Sequence, residues 1–314
     1  MGVIPWFSNI VCATQQVNWV AVGGSGKIAV ATNPTFWERI TSPTSEHLYC
    51  VCWDGTNFVA GGANGTIIYS PNGRTWTQTT ISEFGSSAIR SIASGLGKVV
   101  AVGDDGRIAY SSDNGATWTG ASFGSAKYTS IAFDGSGMFV LSLVASATFN
   151  YSTNGTSFPH SDSWNIYGGG IAHNGSDLWL AVGGDATASG SPSGNGVANT
   201  SATGLASSWS SAISVTTAAL KCAIYDGSST WVVAGKSGKL YSSADAASFT
   251  SRTSGTTDDI NCITYDPTDA RWVYGTSGGK LFYASSVATW TEVTSGFSSS
   301  AINGICHNSN ALPN

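Results

Sequence analysis

One stretch decides what this chain can fold into. Tyr110-Ser-Ser-Asp-Asn-Gly-Ala-Thr-Trp118 recurs, shortened or altered, from one end of the sequence to the other. Clear copies run from Tyr69 to Trp76, Tyr151 to Phe158, Tyr241 to Phe249 and Tyr283 to Trp290. Weaker ones run from Thr32 to Trp37 and from Thr200 to Trp209, which makes seven. The residues that open the strand before each copy are Gly26, Gly65, Gly106, Ala147, Gly196, Gly238 and Gly279, spaced by 39, 41, 41, 49, 42 and 41 residues. Self-similarity at about 40 to 50 residues, with short strands and turn residues in each unit, is the pattern of β-propeller blades.

Each unit reads as four strands. The first ends in an aromatic slot followed by Asp-Gly or Asn-Gly, as in Cys50-Val-Cys-Trp-Asp-Gly55 and Cys222-Ala-Ile-Tyr-Asp-Gly227. Those dipeptides favour tight hairpins. The second is a run such as Trp19-Val-Ala-Val-Gly23 or Val99-Val-Ala-Val-Gly103, with no apolar–polar alternation. A strand covered on both faces reads so, and neighbouring blades would be the covers. The third includes Arg107-Ile-Ala-Tyr110, and the repeated motif turns the chain into the fourth. Nothing sustains a 3.6-residue period, so almost no helix is expected. The reading is an all-β, seven-bladed propeller with four antiparallel strands per blade, a single domain over 1–314. Its blades fall at approximately 9–46, 47–88, 89–127, 128–166, 167–219, 220–259 and 260–302. Residues 303–314 remain as a closing strand, because Asn303–Asn308 repeats the first-strand pattern with no blade after it. Asn9–Ala13 has the same pattern, so the N-terminal segment either pairs beside the closing strand in the first blade or lies outermost. The fifth unit carries an inserted polar, flexible loop over 185–195.

Composition narrows the function. The net charge is -5 and no Lys/Arg run occurs, so the basic footprint of a nucleic-acid binder is missing. Every apolar run is broken by Gly, Ser or Asn well short of the ~20 residues that cross a bilayer, so no membrane insertion is expected. The first eight residues have no basic segment or long apolar stretch, and no secretory signal is expected. Charged residues are 10% of the chain, against ~25% in ordinary domains, and the polar surface is left to Ser, Thr, Asn and Gly. The six cysteines form no metal spacing and fall on first strands, where a small hydrophobe fits, so they read as reduced packing thiols.

Ser111-Ser-Asp113-Asn-Gly115-Ala-Thr117-Trp118 resembles the Asp-box, or BNR repeat, Ser-x-Asp-x-Gly-x-Thr-Trp. Sialidases, sortilin-like receptors, photosystem II assembly factors and many phage virion proteins carry it. The other copies are partial: Asn72 and Asn154 stand for Asp, and Phe158 and Phe249 for Trp. In those families the box is a fold device away from the ligand site. The resemblance therefore implies structural roles for Asn72, Trp76, Asp113, Gly115, Trp118, Asn154, Phe158 and Trp290. The physical chemistry agrees: a short Asx side chain bonds its own turn, Gly takes positive φ, and the aromatic ring folds over the hairpin. Sialidase activity is disfavoured. That family uses an arginine triad and an Arg-Ile-Pro motif, whereas this chain has Val3-Ile-Pro5, six Arg and four Glu in outer positions. No pair of carboxylates reads as facing across a cleft, as a glycosidase needs.

No catalytic residue, metal site or cofactor is expected. His173 and His307 sit in the aromatic slot and read as packing residues, and Asp104-Asp105-Gly106 reads as a turn. Loops between strands four and one and between two and three share one face of a propeller. The residues entering strand one ring its central mouth: Asn9 or Asn303, Tyr49, Arg90, Thr129, Gly169, Lys221 and Asn261, with Tyr128 and Tyr167 adjacent. The binding candidates are Tyr49, Arg90, Tyr128, Tyr167, Lys221 and Asn261. The expectation is a non-enzymatic structural or binding module, first a phage virion propeller of tail, fibre or baseplate, assembled in the host cytoplasm. Its partners would be other virion proteins or a host-surface glycan, with room for an oligomer within a larger assembly. A lectin-like glycan-binding propeller is the second reading and an assembly factor of the photosystem II type the third.

Overall fold

The computed structural model describes residues 16–122, 126–144, 148–158, 160–163, 166–185, 194–205 and 208–308. The first strand expected at Asn9–Ala13 and most of the 185–195 loop lie outside them. The described residues form seven antiparallel sheets of four strands each, the blades of a β-propeller. Blade two shows the plan, with Leu48–Trp53 innermost, then Phe58–Gly62, Thr66–Ser70 and Thr77–Thr80. The other innermost strands are Ile89–Gly95, Lys127–Phe133, Ile166–His173, Leu220–Tyr225, Ile260–Asp266 and Ile302–His307. Each touches the next, and Ile302–His307 touches the first of them, so the ring is closed.

Closure is made by the C-terminal strand. Ile302–His307 is the innermost member of blade one, paired antiparallel with Trp19–Gly23, and Ile28–Ala31 and Glu38–Ile40 complete that sheet. The side chain of Asn308 donates to the Val17 carbonyl and its N–H to the Asn18 carbonyl, which pins the strand at its exit. Blades four and five begin at Lys127 and Ile166, one residue ahead of the boundaries expected from sequence, because the ladder extends to Lys127↔Val144 and Ile166↔Asp185.

The core lies between the blades. Second strands such as Trp19–Gly23, Phe58–Gly62 and Trp231–Gly235 are buried on both faces, which is why they read as unbroken small-apolar runs. One apolar cluster joins Val20, Val22 and Ile28 of blade one to Leu48, Phe58 and Ile68 of blade two, and the others bridge neighbouring blades in the same way. The glycine ending these strands has a steric cause. A Cβ on Gly103 would lie 1.9 Å from the Ala88 carbonyl oxygen, which accepts the Asp104 N–H at 2.9 Å. Gly23, Gly62 and Gly235 meet the carbonyls of Ala301, His47 and Ala219 in the same way.

Two side-chain devices repeat. First, a ring at the end of the innermost strand, or one residue before it for Tyr265, packs at a tilt against its cross-strand partner: Trp53 on Phe58, Phe133 on Phe139, His173 on Trp179, Tyr225 on Trp231, Tyr265 on Trp272 and His307 edge-on to Trp19, at 4.5–4.8 Å between ring centroids. His173 and His307 are indeed packing residues of that slot. Second, the recurring turn is tied by its own side chains. Asp113 Oδ1 accepts from Ser111 Oγ at 2.7 Å and from the Thr117 N–H at 2.8 Å, and Asp113 Oδ2 accepts from Thr117 Oγ1 at 2.6 Å. Asn72 and Asn154 accept from the turn amides in the same way. The Trp118 indole donates to the Gly115 carbonyl at 2.9 Å, the Trp76 indole to that of Gly73 at 2.8 Å, and the Trp290 indole to that of Val287 at 3.3 Å. Phe158, with no indole N–H, keeps only the burial. Gly115 takes φ +90°, and a Cβ there would meet Val59 of the preceding blade at 2.9 Å, so the turn also docks one blade on the last.

Two outcomes follow from this packing. Trp76→Ala removes a nearly buried indole and its hydrogen bond, and urea unfolding should show a loss of about 3–5 kcal/mol. Burial lowers the pKa of both His173 and His307 from the ordinary 6.5; in His307 the charges of Asp266 and Asp269 only partly oppose it. The native state then binds fewer protons than the unfolded chain, so the stabilisation is complete above 6.5 and is lost as pH falls below it. Melting curves should therefore show a lower midpoint at pH about 5.5 than at about 7.5, a window above the ordinary carboxylate range.

Candidate functional site

All seven innermost strands bulge at the same level. In blade two Leu48 pairs with Gly62 and Cys50 with Gly61, so Tyr49 has no partner. Arg90, Thr129, Lys221, Asn261 and Asn303 are the unpaired residues of blades three, four, six, seven and one. In blade five Gly169 and Gly170 oppose the single residue Val182. A bulge re-aims the side chain of its extra residue. Here Tyr49, Arg90, Thr129, Gly169, Lys221, Asn261 and Asn303 all line one cavity of about 210 Å³ at the axis, open at the face of the strand two-to-three turns.

Below this polar level the strand period of two brings up an aliphatic level. Val51, Ile92, Ile171, Ala223, Ile263 and Ile305 line both the mouth and a second cavity of about 160 Å³ towards the other face. Two residues further on come the rings of the aromatic slot, among them His173, Tyr225, Tyr265 and His307, which edge that second cavity. His307 Nε2 lies 3.2 Å from the Asp266 carboxylate of blade seven, so this ring holds the seam.

The mouth is furnished unevenly. On one side Arg90 makes two bonds to Asp104, Nε to Oδ1 at 3.0 Å and Nη2 to Oδ2 at 2.6 Å, and Lys127 approaches the same carboxylate at 3.5 Å. The guanidinium lies over the Tyr49 ring, 4.7 Å from its centroid, and Tyr49 stacks on His47. Burial alone would raise the Asp104 carboxyl, but the bonds and charges of Arg90 and Lys127 outweigh it and hold it below the usual range. On the opposite side Lys221 Nζ donates to Asp259 Oδ2 and Asn261 Oδ1, both at 2.8 Å. Asn261 Nδ2 passes the chain on to the Ile302 carbonyl at 3.1 Å, and Asn303 Nδ2 reaches the Leu48 carbonyl at 2.9 Å. Asp259 behaves as Asp104 does: burial opposes ionisation and Lys221 prevails. Between these networks, among the described residues, Thr129 and Gly169 hold the bulge positions of blades four and five.

Tyr128 is placed elsewhere than the sequence suggested. It is 1% exposed, packed with Phe139, Leu141 and Phe158 between blades three and four, and its hydroxyl accepts from Asn150 Nδ2 at 3.4 Å. The bulge takes Thr129, and Tyr128 holds the paired position filled elsewhere by the buried Leu48, Ile89, Leu220, Ile260 and Ile302. Desolvation pushes its phenol up to about 12. The side chain of Tyr167 lies outside the described residues, although its backbone pairs with Gly184. Sequence reasoning missed Asp104, Lys127 and Asp259. Asp104 opens a tight turn whose next residue, Asp105, takes φ 57°, and that geometry returns its carboxylate to the mouth. The only signal was an acid at the turn entrance where other blades have Gly24 or Ala63.

No family model matches the chain, and no curated protein matches it by sequence. Solved structures match its fold. A structure of YCF48 bound to a D1 peptide superposes with a TM-score of 0.62 at 17% identity, covering 87% of this chain and 86% of that one. YCF48 from Cyanidioschyzon merolae gives 0.58 at 13% identity over 85% and 90%. The Neurospora crassa Pan2 WD40 domain gives 0.62 at 10% identity over 83% and 82%. At these identities the likeness is one of fold, a seven-bladed propeller.

The thiols beside the mouth give a direct test of its packing. Cys50, Cys222 and Cys262 line the cavity, yet burial drives the first two up to about 12 and the third higher still. Iodoacetamide at pH about 8 should leave these three unmodified in the native protein and label them fully in urea, read by peptide mass spectrometry.

Proposed function

We propose that this chain is a non-enzymatic binding module that holds a segment of a partner protein at the bulged mouth of the propeller. The observation that carries the reading is the repetition of one bulge in every innermost strand, which turns seven backbone irregularities into a single ring of side chains. Fold stability alone does not call for Tyr, Arg, Thr, Lys and Asn at equivalent places, since Gly169 fills one of them. The likeness to a propeller solved with a peptide agrees with a polypeptide ligand.

The partner belongs, in this reading, to a larger assembly. We favour a virion component of the phage tail, fibre or baseplate, on the resemblance of the turns to Asp-boxes and on a surface poor in charge. An assembly factor of the photosystem II type is the second reading, supported by the fold-level likeness to YCF48. A photo-crosslinking residue at Thr129, compared with one at Thr79 on an outer strand, tests the common core of both. Crosslinks to a defined protein from position 129 and not from 79 are expected in the native source. Crosslinks from 79 alone, or selective capture of neutral sugars on a glycan array without any protein adduct, would overturn it.

A further inference from the structure

We infer that the segment held at the mouth is acidic, with an apolar residue that enters the axis beside its carboxylates. This rests on the reading of the mouth as a partner site and adds the chemistry of the partner. Arg90 and Lys221 stand on blades three and six of seven, nearly across the ring from each other. An extended chain crossing the mouth meets one at each side. In the two ion networks at the rim three groups are cationic, Arg90, Lys127 and Lys221, and two are anionic, Asp104 and Asp259. Both acids are already engaged by those cations, with their carboxyls held ionised behind them.

The opposite face has the reverse character. Its hairpins and recurring turns carry Asp54, Asp113, Asp134, Asp226, Asp245 and Asp266. Several of these carboxylates are spent on their own turn amides and stay charged. The turns on the mouth side carry Asp104, Asp105, Asp258 and Asp259, and there Arg90, Lys127, Lys221 and Lys280 offset them. An anionic partner is turned away from one face and admitted at the other.

The depth of the site selects the second element. Beneath the polar ring the walls are Val51, Ile92, Ile171, Ala223, Ile263 and Ile305, and Ala223 leaves the widest step. The cavity of about 210 Å³ exceeds the ~150 Å³ that takes one benzene in an apolar protein cavity, so one large aliphatic side chain fits and a folded element does not.

The test is fluorescence anisotropy on the full chain with a labelled octapeptide of Glu residues flanking a central Leu. Its controls are the same peptide with Lys for Glu and with Ser for Leu. The acidic Leu peptide should bind, each control should bind at least about tenfold more weakly, and raising the salt from about 0.05 to 0.5 M should weaken binding. Arg90→Gln with Lys221→Gln should cost at least about tenfold while an unrelated surface change, Thr79→Ser, costs nothing. The peptide and salt comparisons use only the native chain, so they decide the question even if the double variant fails to fold. Equal binding of the acidic and basic peptides, no binding of either, or preference for a sialylated glycan over all peptides would overturn the inference. If the crosslinks from position 129 persist in that case, the partner site stands and only its anionic character falls.

Discussion

The insertion of Ile302–His307 as the innermost strand of blade one is the contact on which the rest depends. Every sheet here buries both faces against its neighbours, so no blade is stable alone, and an open arc would leave two such faces in water. The closing strand removes that exposure in one step. It pairs with Trp19–Gly23, sets His307 on Trp19 and against Asp266, and receives Asn261 from blade seven while Asn303 reaches blade two. Trp19–Gly23 and Ile302–His307 thus share a blade, and the longest-range strand pairing among the described residues is also the one that makes the axis.

With the ring closed, the seven first strands run side by side and their two-residue period becomes three stacked levels. The polar level exists only because each strand carries one residue too many at the same height. That extra residue leaves the ladder and turns to the mouth. The next levels, aliphatic and then aromatic, follow from the pleat. The site is therefore made from the same irregularity repeated, and its individuality comes from what each blade places there. Arg90 and Lys221 are held in orientation by Asp104 and Asp259, and Tyr49 is held between the Arg90 guanidinium and the His47 ring.

Much of this was legible in advance. The seven turns, the four strands of each unit, the closing role of the C-terminal segment and the packing role of His173 and His307 all come from local chemistry: turn dipeptides, strand-two runs and the aromatic slot. Tyr49, Arg90, Thr129, Gly169, Lys221, Asn261 and Asn303 could be named as residues entering strand one, and the structure brings them around one cavity. Tyr128 was misplaced because adjacent residues on a strand face opposite ways, and the position of the bulge decides which of the two faces the axis. Asp104 and Asp259 were overlooked because a carboxylate in a tight turn has the same local signature whether it faces solvent or a cation from another strand.

The sequence by itself determined the architecture: a period near 41 residues, glycine where strand two meets a neighbouring carbonyl, and Asx side chains that close their own turns. These depend on contacts within a few residues or on a unit repeated in tandem, so composition and spacing carry them. Only the tertiary structure decided the mouth. The partners there, Arg90 with Tyr49 and Lys221 with Asp259, come from different blades or loops and lie tens of residues apart. Their approach is set by the bulge register within the closed ring, and that register leaves no mark on the local sequence.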